Sequence, residues 1–145
     1  MRGLTVDVRS ETWPLREAFV ISRGAKLAAE VVVVEISDGR HTGRGEAVPY
    51  ARYGETVAGV VAAIATVQVT TRDALQAALP AGAARNALDC ALWDLEAKRA
   101  GVSVAALVGR AIPPSTLTAF TLSLGTPDAM ADKARSVPHL KLLKL

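Results

Sequence analysis

With 145 residues, half of them apolar and one of them cysteine, the chain carries enough apolar surface for a packed core; an internal disulfide and a zinc site built from cysteines alone are excluded. Its 17 lysines and arginines against 14 aspartates and glutamates leave a net charge of +3, and the basic residues are scattered rather than gathered in a stripe, which argues against nucleic acid and leaves room for a small anionic ligand. No apolar run is long enough for a bilayer and no signal-peptide core opens the chain, so a soluble cytoplasmic protein without a membrane partner is expected.

Leu4, Val6 and Val8 alternate with Thr5, Asp7 and Arg9, the pattern of a half-buried strand. Trp13–Lys26, interrupted by Pro14 and Gly24, reads as irregular. Glu30–Ile36 holds four consecutive valines and suits a strand covered on both faces. Asp38-Gly39 is a tight-turn signal, and Arg40–Val48 returns as a further strand, completing a three-stranded antiparallel meander. After a loop from Pro49 to Gly54 the period becomes helical. One helix is expected at about Glu55–Val67. A short one, with Thr71 as its N-cap and Asp73 in its first turn, stops at Pro80. Ala83–Ala100 is the clearest helix. Ala84, Leu88, Ala91, Leu92 and Leu95 form an apolar stripe, with Asn86, Cys90, Trp93 and Ala97 on the other side. Two uncharged sides suggest a helix between layers, with Cys90 as core filler. Asp94 and Lys98 have helical pair spacing, Gly101 ends the helix, and Ser103–Gly109 gives one further short helix.

Ile112-Pro113-Pro114-Ser115 is the linker candidate. Beyond it Thr116–Leu124 reads as a strand, Pro127–Arg135 as a helix and Leu140–Leu145 as a strand, the unit from which parallel sheets are built. Without neighbours, such a unit cannot bury both faces or pair its edges. Gly43-x-Gly45-Glu46 lacks the third glycine and the helix start of a phosphate loop; its glycines point to close backbone approach or a bulge.

The ordered set of W-P-L at Trp13–Leu15, F-x-I-S-R-G at Phe19–Gly24, E-V-V-V-V-E at Glu30–Glu35, G-R-G-E-A-V-P-Y-A-R-Y-G-E at Gly43–Glu55, A-A-R-N-A-L-D-C-A-L-W-D-L-E-A at Ala83–Ala97 and T-L-S-L-G-T-P-D-A-M at Thr121–Met130 resembles the enolase superfamily, and within it the dipeptide epimerases of the mandelate racemase and muconate lactonizing enzyme branch. The resemblance implies an α+β capping domain over residues 1–111, a meander plus a helical bundle. Residues 112–145 would then be the first β-α-β of a truncated (β/α)8 barrel. It also implies Mg²⁺-dependent proton abstraction next to a carboxylate, a small dipeptide of the L-Ala-D/L-Glu type as substrate, and a homo-oligomer. An α-proton beside a carboxylate is weakly acidic, so the developing charge must meet a cation in a dry site, and inversion needs two bases on opposite faces.

In that family a Lys-x-Lys motif on the second barrel strand supplies one base. This chain has Lys141-Leu142-Leu143-Lys144, with a spacing of three, so Lys144 is the candidate base and Lys141 its companion, or both are ordinary exposed lysines. Arg23 matches the position that pairs with the substrate's side-chain carboxylate, a task suited to a guanidinium fork; a solvated loop arginine is the plain alternative. Phe19, Tyr50 and Tyr53, with Trp13, either wall a pocket or anchor loops. Thr121 and Ser123 share a face of the first barrel strand, facing ligand or packing inside. The family's metal carboxylates lie on later strands, so this chain alone is expected to hold no catalytic Mg²⁺ and to be inactive. Two rival readings stand beside this one: a non-catalytic remnant or interaction module that self-associates, and a portion of another superfamily member such as an N-acylamino acid racemase or a muconate cycloisomerase.

Overall fold

A computed structural model describes residues 3–68, 71–112 and 115–145. The chain divides into two compact units, one formed by Met1–Trp13 with Glu30–Ile112 and the other by Pro14–Ala29 with Pro113–Leu145. Of the Ile112–Ser115 linker candidate, Pro113 and Pro114 lie outside the described residues.

Three strands, β1 (Thr5–Ile21), β2 (Gly24–Ser37) and β3 (Thr42–Ala47), form a sheet in that order. The irregular segment expected at Trp13–Lys26 is instead the far half of a long hairpin in which only Ser22 and Arg23 make the turn. Pro14 does not break β1 because β1 is an edge strand, where a missing N–H on the open side costs no ladder bond. Gly24 does not break β2 because it opens the strand, at φ 138°, a backbone state that residues with a Cβ avoid. The valine run behaves as its composition demands, with Val31–Val34 all buried.

Asp38 builds the second turn. Its Oδ1 accepts from the N–H groups of Arg40 (2.8 Å) and His41 (2.7 Å), and its Oδ2 from Arg99 Nε (2.6 Å). The His41 amide, then the Arg99 guanidinium and the Arg40 amide, hold this carboxyl far below its ordinary value of 3.8. A carboxyl depressed on folding gives stability that is complete above the unfolded value and is lost as pH falls below it. The Asp38→Asn chain is therefore expected to be less stable than wild type at pH 7, with the gap closing below about pH 4. Urea midpoints across pH 2–7 check this.

Among the described residues of the same unit the α-helices are α1 (Val57–Ala65), α2 (Arg72–Ala78), α3 (Ala83–Ala100) and α4 (Val104–Leu107). Thr56, Thr71 and Ser103 each cap a helix through the side-chain oxygen, accepting from Gly59, Ala74 and Ala106 N–H groups. Val32, Val34 and Ile36 of β2 meet Val60 and Ile64 of α1, Leu75 of α2, and Leu88, Leu92 and Leu95 of α3 in one apolar core.

The α3–β3 contact fixes this core. A Cβ on Gly45 would stand 2.0 Å from the Ala87 carbonyl oxygen, and one on Gly43 2.1 Å from that of Ala91. Two strand residues advance about 6.8 Å and four helical residues about 6 Å, so glycines two apart face helix positions four apart. Backbone therefore lies on backbone. The open edge of β3 is also closed by α3 side chains: Asp94 Oδ2 accepts from Arg44 N–H (2.8 Å), Asn86 Nδ2 donates to Glu46 O (3.3 Å) and Lys98 Nζ to Thr42 O (2.7 Å). Lys98 also pairs with Asp94 (2.7 Å), so the expected i,i+4 pair serves the sheet edge as well. Burial pushes the Asp94 carboxyl up, but the Lys98 ammonium and the Arg44 amide outweigh it and leave it below its ordinary value.

The expectation of a helix between two layers is corrected. Asn86 and Cys90 are exposed, so Cys90 is not core filler. Trp93 instead carries the Arg72 guanidinium 3.5 Å from its ring centroid, and Arg72 forks onto Glu96 through Nε (3.1 and 3.2 Å). Of that far side Ala97 is buried and Trp93 half-buried, while Asn86 and Cys90 stay in water, because the Ala/Leu stripe carries most of the apolar area that burial removes from water.

The second unit contains β4 (Phe120–Thr121), α5 (Pro127–Arg135) and β5 (Leu143–Lys144), with β4 and β5 parallel. This is the expected strand–helix–strand order, with both strands shorter than the apolar runs suggest. Thr126 caps α5 and Pro127 opens it, where its missing N–H costs nothing.

Candidate functional site

In the second unit the pairing Thr121↔Lys144 sets these residues side by side on neighbouring parallel strands, on one face of the pair. Phe120 N–H donates to Leu142 O and Leu122 N–H to Lys144 O, both at 2.9 Å, two bonds that bracket Thr121 and fix the register up to Lys144. Lys144 is exposed and Thr121 half-buried. Lys141 lies at a bend before β5, so only one of the two lysines is a strand residue.

Arg23 is exposed at the tip of the β1–β2 hairpin, and Phe19, half-buried, lies four residues before it in β1. The segment after β4 runs along this hairpin. Leu124 N–H donates to Val20 O (2.9 Å), Ser123 Oγ donates to Ala18 O (3.0 Å) and accepts from Val20 N–H (3.3 Å). Lys133 of α5 pairs with Glu17 at 2.6 Å. Arg23, Phe19, Thr121, Ser123, Lys141 and Lys144 thus belong to one compact unit.

Tyr50 and Tyr53 belong to the other unit, at the start and end of a 3₁₀ turn (Ala51–Tyr53), with ring centroids 5.8 Å apart and both side chains exposed. Trp13 lies in β1 and donates its indole N–H to Glu11 (2.8 Å). Sequence reasoning missed what holds the tyrosine loop. Glu55 accepts from Ala83 N–H (2.6 Å) and from Tyr50 N–H (3.1 Å), so one carboxylate caps α3, whose own N-cap is Gly82, and closes the loop. The Ala83 amide first, then that of Tyr50, holds this carboxyl below its ordinary value. The signal was present as a glutamate just after Gly54 with no helical partner, but its acceptor role depends on a residue far along the chain.

Among the described residues no group of three or more His, Cys, Asp or Glu side chains could hold a metal ion, so the residues present do not fit a magnesium centre. Among them, too, no helix is long and apolar enough to cross a membrane.

Residues 3–109 match the family described as mandelate racemase / muconate lactonizing enzyme, N-terminal domain. The chain is 50% identical to the L-Ala-D/L-Glu epimerase of Escherichia coli (strain K12), over 97% of this chain and 46% of that enzyme. A crystal structure from Agrobacterium tumefaciens, an enolase family member with homology to dipeptide epimerases and with bound sodium and L-Ala-L-Glu, superposes with a TM-score of 0.90 at 42% identity, covering 97% of this chain and 44% of that one. The dipeptide epimerase of Enterococcus faecalis V583, complexed with Mg and L-Leu-L-Tyr, gives a TM-score of 0.84 at 27% identity, covering 100% of this chain and 46% of that one. The chain therefore spans less than half the length of these relatives. With its antiparallel meander and helices in the matching order, the chain belongs to the mandelate racemase / muconate lactonizing enzyme family, residues 3–109 forming the N-terminal domain.

Proposed function

We propose that this chain provides the capping domain (residues 1–111) and the first strand–helix–strand of the barrel (residues 112–145) of a cytoplasmic dipeptide epimerase acting on substrates of the L-Ala-D/L-Glu type. What supports the reading most is that the turn bearing Arg23 and the strand bearing Lys144 fall in one compact unit, in a chain half identical to an L-Ala-D/L-Glu epimerase. In this reading Arg23 takes the substrate's side-chain carboxylate in a two-pronged hydrogen bond. Phe19 excludes water, and Thr121 contacts the substrate beside Lys144. Lys144, in its neutral form, removes the α-proton from one face of the C-terminal residue. A second base, not among these residues, works on the other. Lys141 assists through its charge. Magnesium, present in the Enterococcus faecalis relative, would polarise the carboxylate from ligands that the described residues do not contain. The working enzyme is proposed to be a homo-oligomer.

The test is assembly of the chain with the portion of the Escherichia coli epimerase that it does not cover, followed by NMR of the glutamate α-proton of L-Ala-L-Glu in D2O with Mg²⁺. The assembled protein is expected to exchange the proton and form L-Ala-D-Glu, and the chain alone to do neither. Arg23→Gln should lower the preference for L-Ala-L-Glu over L-Ala-L-Gln by about 30-fold, the equivalent of roughly 2 kcal/mol for a charge-assisted bond. A folded assembly without exchange refutes the reading.

A further inference from the structure

We infer that Ser123 is a positioning residue for Arg23: its hydroxyl clamps the outer edge of β1 just before the turn and so sets where the guanidinium points. The inference rests on the reading of Arg23 as the carboxylate-binding residue. A hairpin tip two strands wide is marginal by itself in water and needs a third element to hold it. Here the third element is the segment after β4. Leu124 makes one main-chain bond to Val20, and where the next pair of a ladder would stand the Ser123 hydroxyl replaces it, accepting from Val20 N–H and donating to Ala18 O. A serine hydroxyl has one proton to give, and that proton is committed to Ala18, so it is not available to a substrate carboxylate. Val20 is three residues from Arg23 with only Ile21 and Ser22 between, which leaves little slack. The Lys133–Glu17 pair ties the same strand to α5. It is half-exposed and carries less of the load than the serine. Fixing a guanidinium before the substrate arrives removes an ordering cost from binding, so the effect belongs in KM rather than in the proton transfer.

Two measurements test this. In the 145-residue chain, amide exchange followed by NMR should be at least about 10-fold faster at Val20 in Ser123→Ala than in wild type, with Leu122, which bonds to β5, unchanged; Ser123→Thr should restore Val20. In the assembled epimerase, Ser123→Ala should raise KM for L-Ala-L-Glu about 10-fold with kcat within about 3-fold, and leave L-Ala-L-Gln unaffected. The Ser123→Ala/Arg23→Gln double variant should be no worse than Arg23→Gln, because a residue acting through Arg23 has nothing left to position. Should Ser123→Ala fail to fold, Lys133→Met carries the test in the same direction, with a smaller acceleration at Val20. Unchanged Val20 exchange, or additive losses in the double variant, overturns the inference. If Arg23→Gln alone leaves selectivity intact, the reading of Arg23 falls and this role of Ser123 with it, whereas the Val20 result then still reports the clamp separately.

Discussion

Gly45→Ala is expected to cost the fold about 3 kcal/mol or more, seen as a drop of roughly 10 °C in thermal midpoint or as loss of soluble protein. The added Cβ would sit 2.0 Å from the Ala87 carbonyl oxygen and 2.7 Å from the Ala91 amide nitrogen, both backbone atoms of α3. No rotamer relieves such an overlap. The helix must lift off the sheet, and lifting it opens the core at Leu88, Leu92 and Leu95 while breaking the bonds by which Asp94, Asn86 and Lys98 close the β3 edge. Gly43→Ala should behave alike, since its Cβ would meet the Ala91 carbonyl oxygen at 2.1 Å. Gly3→Ala, with nothing within 4 Å, is the matched control and should leave the midpoint unchanged. Circular dichroism melts of the three variants decide it. A Gly45→Ala chain melting with wild type would mean that the α3–β3 approach is looser than described.

Lys144→Ala in the assembled epimerase is expected to lose epimerisation by at least about 10³-fold, in the range found when a general base is removed. The argument is positional. Lys144 is paired with Thr121 on the adjacent strand and its own carbonyl accepts from Leu122 N–H, whereas Lys141 lies at a bend outside β5. Lys141→Ala should therefore cost much less, about 3-fold, through lost charge. The two variants also separate a base from a surface lysine: a solvated lysine at position 144 would give the same small loss as at 141.

Much of the architecture could be read from local chemistry. Thr71 before Arg72-Asp73 and Thr126 before Pro127-Asp128 announce helix starts because their signals lie within one turn. The Gly43 and Gly45 pair, misleading as a phosphate loop, pointed correctly to close backbone approach. What stayed hidden depends on distant partners. Pro14 and Gly24 look like breakers until β1 is known to be an edge strand and Gly24 to begin β2. Cys90 looks buried until the Ala/Leu stripe is seen to take most of the packing of α3, with Ala97 the one buried residue on the other side among those named there. Glu55 as the cap of α3 and Ser123 as the clamp on β1 are invisible for the same reason: 28 residues separate Glu55 from Ala83, and 103 separate Ser123 from Val20. The candidate site was legible as residue types in a familiar order, and the grouping of Phe19, Arg23, Thr121, Ser123, Lys141 and Lys144 in one unit, with Tyr50 and Tyr53 in the other, was not.

The most direct measurement is the stereochemistry of α-proton exchange in the assembled Lys144→Ala protein, with L-Ala-L-Glu and L-Ala-D-Glu each placed in D2O and followed by NMR. If Lys144 is one of two opposed bases, one diastereomer keeps exchanging at its surviving base, the other stops, and neither is converted into its partner. Equal exchange of both, at rates near wild type, would contradict the assignment of proton transfer to this strand.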